Sequence, residues 1–188
     1  MQKTGETKRA AGFTLIEILV VVAILGILMA MVIPGAGLIM KKGKASTART
    51  GAIVVESALQ RYRVEYNQWP DFAKGGTKQH LTDDEFMETM VPTPTGKPPA
   101  ENLKRIVFIE TTKGAAVEVS SGKFEYRDPW GHPYQYVVNE TPKETMTLGA
   151  FANGYKGPKD IRAKVLAWSA GEDGDYTTWN DNVTSWED

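Results

Sequence analysis

A chain of 188 residues with 22 basic and 23 acidic side chains has a formal charge of −1, so its composition carries no electrostatic footprint for nucleic acid, and none is expected as a partner. The absence of cysteine excludes disulfide staples and thiol chemistry. The length suits one domain with extensions, and the averages hide a strongly uneven distribution. Residues 1–12 are polar and basic, with Lys3, Lys8 and Arg9 against Glu6. Residues 13–33 are apolar except for Thr14, Glu17 and Gly26, and everything beyond Lys41 reads as a water-soluble protein.

The apolar run is 21 residues long. At about 1.5 Å per helical residue it reaches roughly 30 Å, the thickness of a bilayer's hydrocarbon core. Secretory signals have a shorter apolar stretch, about 7–15 residues, followed by a small-residue cleavage site. A membrane span is therefore expected. Basic residues flank it on both sides, Lys3, Lys8 and Arg9 before and Lys41, Lys42, Lys44 and Arg49 after, so counting charges does not orient it. Glu17 is the odd residue, because an acid within a span is costly and normally has a partner. It either reaches the headgroups from the end of the span or meets a cation of matching depth. A cut between Gly12 and Phe13 would create such a cation, the α-amine of Phe13, which a neighbouring copy could present to Glu17.

The run Gly12-Phe13-Thr14-Leu15-Ile16-Glu17, with the apolar residues 18–28 behind it, resembles the type IV prepilin signature. The resemblance implies that a prepilin peptidase cuts after Gly12 and methylates Phe13, that Glu17 serves assembly, and that the N-terminus is cytoplasmic. Pro34 stands where many members of that family have a helix-bending proline. The expected organisation is a cleaved basic leader over 1–12, a transmembrane and assembly helix over 13–34, an amphipathic helix continuing the rod over 35–69, and an extracytoplasmic domain over 70–188.

Past a break expected at Pro34-Gly35-Ala36-Gly37, a helical stripe begins: Ala45, Ala48, Ala52, Val55, Leu59, Tyr62, Tyr66 and Trp69 follow at steps of three and four. The large residues from Leu59 onward suit packing on the chain's own domain. The small ones from Ala45 to Val55 suit either that or contact with neighbouring copies. Asn67 and Pro70 end the pattern.

Residues 71–102 are rich in turn formers, with a capping box at Thr82-Asp83-Asp84-Glu85 predicting a short helix through Phe86, Met87 and Met90. Strands are predicted at 105–110, 116–119, 123–126, 134–138 and 163–168, close enough to form a small antiparallel sheet against the aromatic end of the rod. The class is α+β, pilin-like. Asp128-Pro129-Trp130-Gly131-His132-Pro133-Tyr134 reads as a rigid turn, with Trp130 as a packing anchor. It is similar to the Asp-Pro-Trp-Gly-x-Pro-Tyr segment of the major pseudopilins of bacterial type II secretion.

After Lys164 no lysine or arginine follows, while acidic residues accumulate. In those pseudopilins a C-terminal loop holds calcium; Gly171-Glu172-Asp173-Gly174 and Asp181-Asn182-Val183-Thr184-Ser185-Trp186 resemble its two ends. The resemblance implies calcium ligands among Asp173, Asp175, Asp181 and Asn182. The sequence departs from the family in the middle of the loop, where 175–180 is not glycine-rich, and a solvated acidic tail pinned by Trp179 and Trp186 is the competing reading. No organic cofactor is implied. His80 and His132 sit beside turns, and no zinc-protease, nucleophile-elbow or phosphate-loop motif is present, so the chain is not expected to be an enzyme.

The resemblances imply a structural subunit of a type II secretion pseudopilus: anchored once in the bacterial inner membrane with its domain in the periplasm, then a filament of its own copies. Its partners would be the prepilin peptidase, other pseudopilins, inner-membrane assembly components and membrane lipid. The alternatives are a type IV pilin or minor pilin for adhesion, motility or DNA uptake, against which the missing cysteines argue, and a membrane-anchored binding domain that never polymerises.

Overall fold

The computed structural model describes residues 12–110, 114–141, 145–150, 152 and 154–187, with the side chains of all of these except 31–36 and 150. Of the expected leader only Gly12 falls inside this description, and the Pro34 side chain falls outside it. Contacts divide the chain into two compact units, Met1–Lys42 and Gly43–Asp188.

Helix α1 (Leu15–Tyr66) is a single element. The break expected after residue 33 is not an end: helical backbone continues through 34–37. Proline deletes one helical hydrogen bond, and the helix continues past that loss and past Gly35 and Gly37, both poor helix formers. In the first unit every described side chain from Phe13 to Ala30 is exposed. Among the described residues, no helix is long and apolar enough to cross a membrane.

In the second unit the predicted stripe is the buried face. Ala48, Ala52, Val55, Leu59 and Tyr62 are buried, Ala45 and Tyr66 half-buried. The small residues therefore face their own domain. Gly51 shows how close that approach is: a Cβ there would come within 2.0 Å of the Tyr134 hydroxyl oxygen. Asn67, in the left-handed region at φ 55°, closes the helix, so Trp69 lies beyond its end, buried and donating its indole N–H to Asn139 O at 3.2 Å.

After a short 3-10 turn (Asp71–Ala73) come β1 (His80–Leu81), α2 (Asp84–Met90), β2 (Ala116–Ser120), β3 (Lys123–Tyr126), β4 (Gln135–Val138), β5 (Thr145–Thr147), β6 (Asp160–Arg162), β7 (Val165–Ser169) and β8 (Val183–Thr184). The central sheet has four antiparallel strands in the order β1-β4-β7-β8, and β2–β3 and β5–β6 form separate two-stranded ladders. Alternation along β4 and β7 gives the sheet two buried faces. Tyr136, Val138, Val165 and Ala167 join the α1 stripe. Val137, Leu166 and Trp168 point the other way, beneath Met146, Leu148, Trp179 and Trp186. The second unit is thus helix, sheet and a C-terminal cover, an α+β arrangement.

Two local expectations are corrected. The segment 105–110 is not a strand. Arg105 is left-handed at φ 54°, and Phe108 and Ile109 direct their N–H groups at the Met90 carbonyl, at 2.9 and 3.3 Å, instead of into a ladder. Both side chains plug the core. The cap of α2 is Asp83, whose Oδ1 accepts the Phe86 N–H at 3.2 Å. Thr82 is buried and spends its hydroxyl across the sheet, donating to Tyr126 O at 2.6 Å and accepting from Tyr134 N at 2.8 Å.

Candidate functional site

The head of α1 is organised by two side chains. The Thr14 backbone N–H and hydroxyl both donate to Glu17 Oε2, at 2.8 and 2.7 Å, and the Glu17 N–H returns to Thr14 Oγ1 at 3.3 Å. This is a reciprocal capping box, which satisfies donors that a helix start leaves open. Glu17 therefore has a local role that the apolar surroundings concealed, although Thr-x-x-Glu was present to signal it. Phe13, on the N-terminal side of the cap, is 83% exposed. Behind the cap, Leu15, Ile16, Ile18, Leu19 and the residues up to Met29 offer apolar surface in all directions. A helix that is apolar on every side has no place in water.

The second cluster lies at the C-terminal end. The predicted turn joins β3 to β4, with Gly131 at φ 96° and a single bridge between Arg127 and Pro133 across its neck. Asp128 is its hub: Oδ1 accepts the N–H groups of Trp130 and His132, both at 2.9 Å. Pro129, Trp130 and Pro133 are half-buried, and Lys44 Nζ lies 6.0 Å from the Trp130 ring centroid.

The acidic loop folds directly against this turn, a contact between segments more than 35 residues apart. His132 Nδ1 lies 3.3 Å from Gly171 O. Within the loop, Asp181 Oδ2 accepts the N–H groups of Glu172 and Asp173, at 2.7 and 3.1 Å. Asp173 accepts the Thr178 hydroxyl at 2.5 Å and the Asp175 N–H at 2.8 Å, and these two bonds, in that order, hold its carboxyl below the usual carboxylate range. Asp175 Oδ1 accepts the N–H and hydroxyl of Thr177, at 2.8 and 2.7 Å. Asn182 Nδ2 donates to Tyr176 O at 3.2 Å.

All four residues singled out in the sequence thus belong to one loop. Two oxygens, Asp181 Oδ1 and Asn182 Oδ1, are buried and make no hydrogen bond. Among the described residues no group of three His, Cys, Asp or Glu side chains is placed to hold a metal ion. The loop is also pinned as the competing reading expected: Trp179 and Trp186 lie 5.7 and 6.0 Å from Trp168, centroid to centroid. Tyr155, donating to Glu187 and accepting from Trp186 Nε1 at 3.0 Å, closes the edge, and burial raises its phenol to about 12.

The prokaryotic N-terminal methylation motif matches residues 7–33. The chain is 32% identical over 165 residues to the type II secretion system core protein G of Pseudomonas aeruginosa, covering 87% of this chain and 98% of that protein. It is 27% identical over 175 residues to the protein of the same name from Aeromonas hydrophila, covering 93% and 96%, and 28% identical over 165 residues to that of Vibrio cholerae, covering 86% and 94%. No solved structure matches the chain. A capped, wholly exposed apolar helix, a domain built on its continuation, and relatives matched along nearly their full lengths lead to one conclusion: the chain belongs to the type II secretion system core protein G family.

Proposed function

We propose that the chain is a structural subunit of a type II secretion pseudopilus, cut between Gly12 and Phe13, methylated at Phe13 and assembled through its N-terminal helix. The observation that carries this reading is the exposure of every described side chain from 13 to 30, a stretch of helix in which Glu17 is the sole acid. Such a surface needs lipid before assembly and other helices after it. The span itself is read from the sequence run 13–33, whose last three side chains lie outside the described residues. The chain supplies no catalysis in this role; processing and movement belong to partners, namely the prepilin peptidase, other pseudopilins and inner-membrane assembly components. In cells carrying that machinery, the wild-type chain forms fibres that label with an antibody to its periplasmic domain; cells holding it only as membrane-bound monomer would refute the reading.

The C-terminal loop is further proposed to hold calcium. The support is the pair of orphaned oxygens, Asp181 Oδ1 and Asn182 Oδ1, since buried acceptors without donors are costly and a hard cation would satisfy both. Calcium takes about six to eight oxygens, so Asp173, Asp175, backbone carbonyls and water would complete the set. What the ion supplies when bound is positive charge that closes the loop in place of a disulfide. A site filled at about a hundred times its dissociation constant adds roughly 2.7 kcal/mol, or about 5–10 °C in Tm for a chain of this size. EDTA should lower the Tm of the full chain by that amount, and Asn182→Ala should shrink the shift. A melting curve indifferent to EDTA would remove the metal.

A further inference from the structure

A turn of the Asp128 type needs one carboxylate oxygen, and this one uses two. Oδ1 accepts from Trp130 N and His132 N, which is all that the turn's backbone requires. An asparagine would do that equally well. Oδ2 instead accepts the hydroxyl of Ser169, a buried residue at the end of β7, and Ser169 Oγ in turn accepts the Gly171 N–H at 3.0 Å. On its other side Gly171 presents its carbonyl to His132 Nδ1 at 3.3 Å, and that same imidazole nitrogen lies 3.9 Å from Asp128 Oδ2. The Gly171 N–H is thus fixed by a hydroxyl that Asp128 holds, and its carbonyl faces the imidazole of His132, whose backbone N–H Asp128 also accepts.

Gly171 matters because of what it faces. It sits in the left-handed region at φ 71°, and a Cβ there would come within 2.4 Å of Asp181 O. The next two N–H groups, of Glu172 and Asp173, both clamp Asp181 Oδ2. The Asp181 carboxylate, whose other oxygen is left without a partner, is thereby tied to the backbone immediately after Gly171. The Asp128 side chain is 0% exposed, and a carboxyl group so deeply buried is tolerated because three donors converge on it.

We propose that Asp128 is a positioning residue for the C-terminal cation loop, acting through Ser169 and Gly171 on Asp181. This inference rests on the calcium reading above. Outer partners of metal ligands set ligand orientation, and their loss costs about 10–100-fold in affinity.

The test is calorimetric titration of calcium chloride into the full chain in detergent, after removal of divalent ions, for wild type, Asp128→Asn and Ser169→Ala. Asp128→Asn keeps an acceptor for the turn and offers an amide where Ser169 needs an oxygen. Ser169→Ala cuts the second arm alone and leaves both turn hydrogen bonds in place, so it decides the matter if Asp128→Asn does not fold. The expected result is a dissociation constant raised about 10–100-fold in each variant. Wild-type affinity in Ser169→Ala, with only its metal-free Tm lowered, would confine Asp128 to shaping the turn and overturn the proposal while leaving calcium standing. Wild type that takes up no calcium would overturn both.

Discussion

Glu17→Gln is expected to abolish fibre formation while leaving membrane insertion and helix capping intact. The glutamine keeps a side-chain oxygen for the Thr14 N–H and hydroxyl that Glu17 Oε2 now accepts, and capping boxes use glutamine as readily as glutamate. It removes the charge that would meet the α-amine of a neighbour's processed Phe13. Glu17→Ala removes both, so on its own it cannot separate a frayed helix start from a lost intersubunit pair. Thr14→Val supplies the converse control, weakening the box while the charge remains. The expected order of fibre yield, counted by electron microscopy at matched membrane levels, is wild type, then Thr14→Val, with Glu17→Gln and Glu17→Ala at background. Normal fibres from Glu17→Gln would reduce the residue to a helix cap.

The largest effect on folding is expected at Trp168. It is fully buried on the sheet face that lies away from α1, and it is the surface on which Trp179 and Trp186 rest. Trp168→Ala should cost about 3–5 kcal/mol in chemical denaturation, the range for emptying an aromatic site in a core. The loss should be unevenly distributed: hydrogen exchange in 171–187 accelerates most, because the loop's two tryptophan anchors lose their partner together, while amides of α1 between 48 and 62 stay protected by the other core. A loss under about 1 kcal/mol would mean that the C-terminal cover is held by its own hydrogen bonds.

What was legible in the sequence followed from local periodicity. The stripe from Ala48 to Tyr62 was readable because a helix buries one face, and β2, β3, β4 and β7 were readable from β-branched and aromatic runs. Phe108 and Ile109 misled for the same reason: an apolar pair in an extended segment looks like strand, and only the direction of its N–H groups, toward Met90 O, shows otherwise. The strands His80–Leu81 and Val183–Thr184 are two residues each, too short to carry a period, and exist because β4 and β7 offer edges. At the sites, the residue types were visible and their meeting was not. Asp128 and His132 reach Gly171 across 39 residues or more, and nothing local in either segment points to the other. Glu17 stands out as an acid among apolar residues, whereas Thr14, its capping partner three positions before it, is an ordinary small polar residue at the edge of the run.

The most direct measurement is the mass of the N-terminal peptide of membrane-extracted protein. A filament subunit processed at the cap of its own exposed helix yields a chain that begins with N-methylated Phe13, one residue before Thr14. A chain that keeps Met1, or one cut beyond residue 33, would contradict the assignment to a pseudopilus.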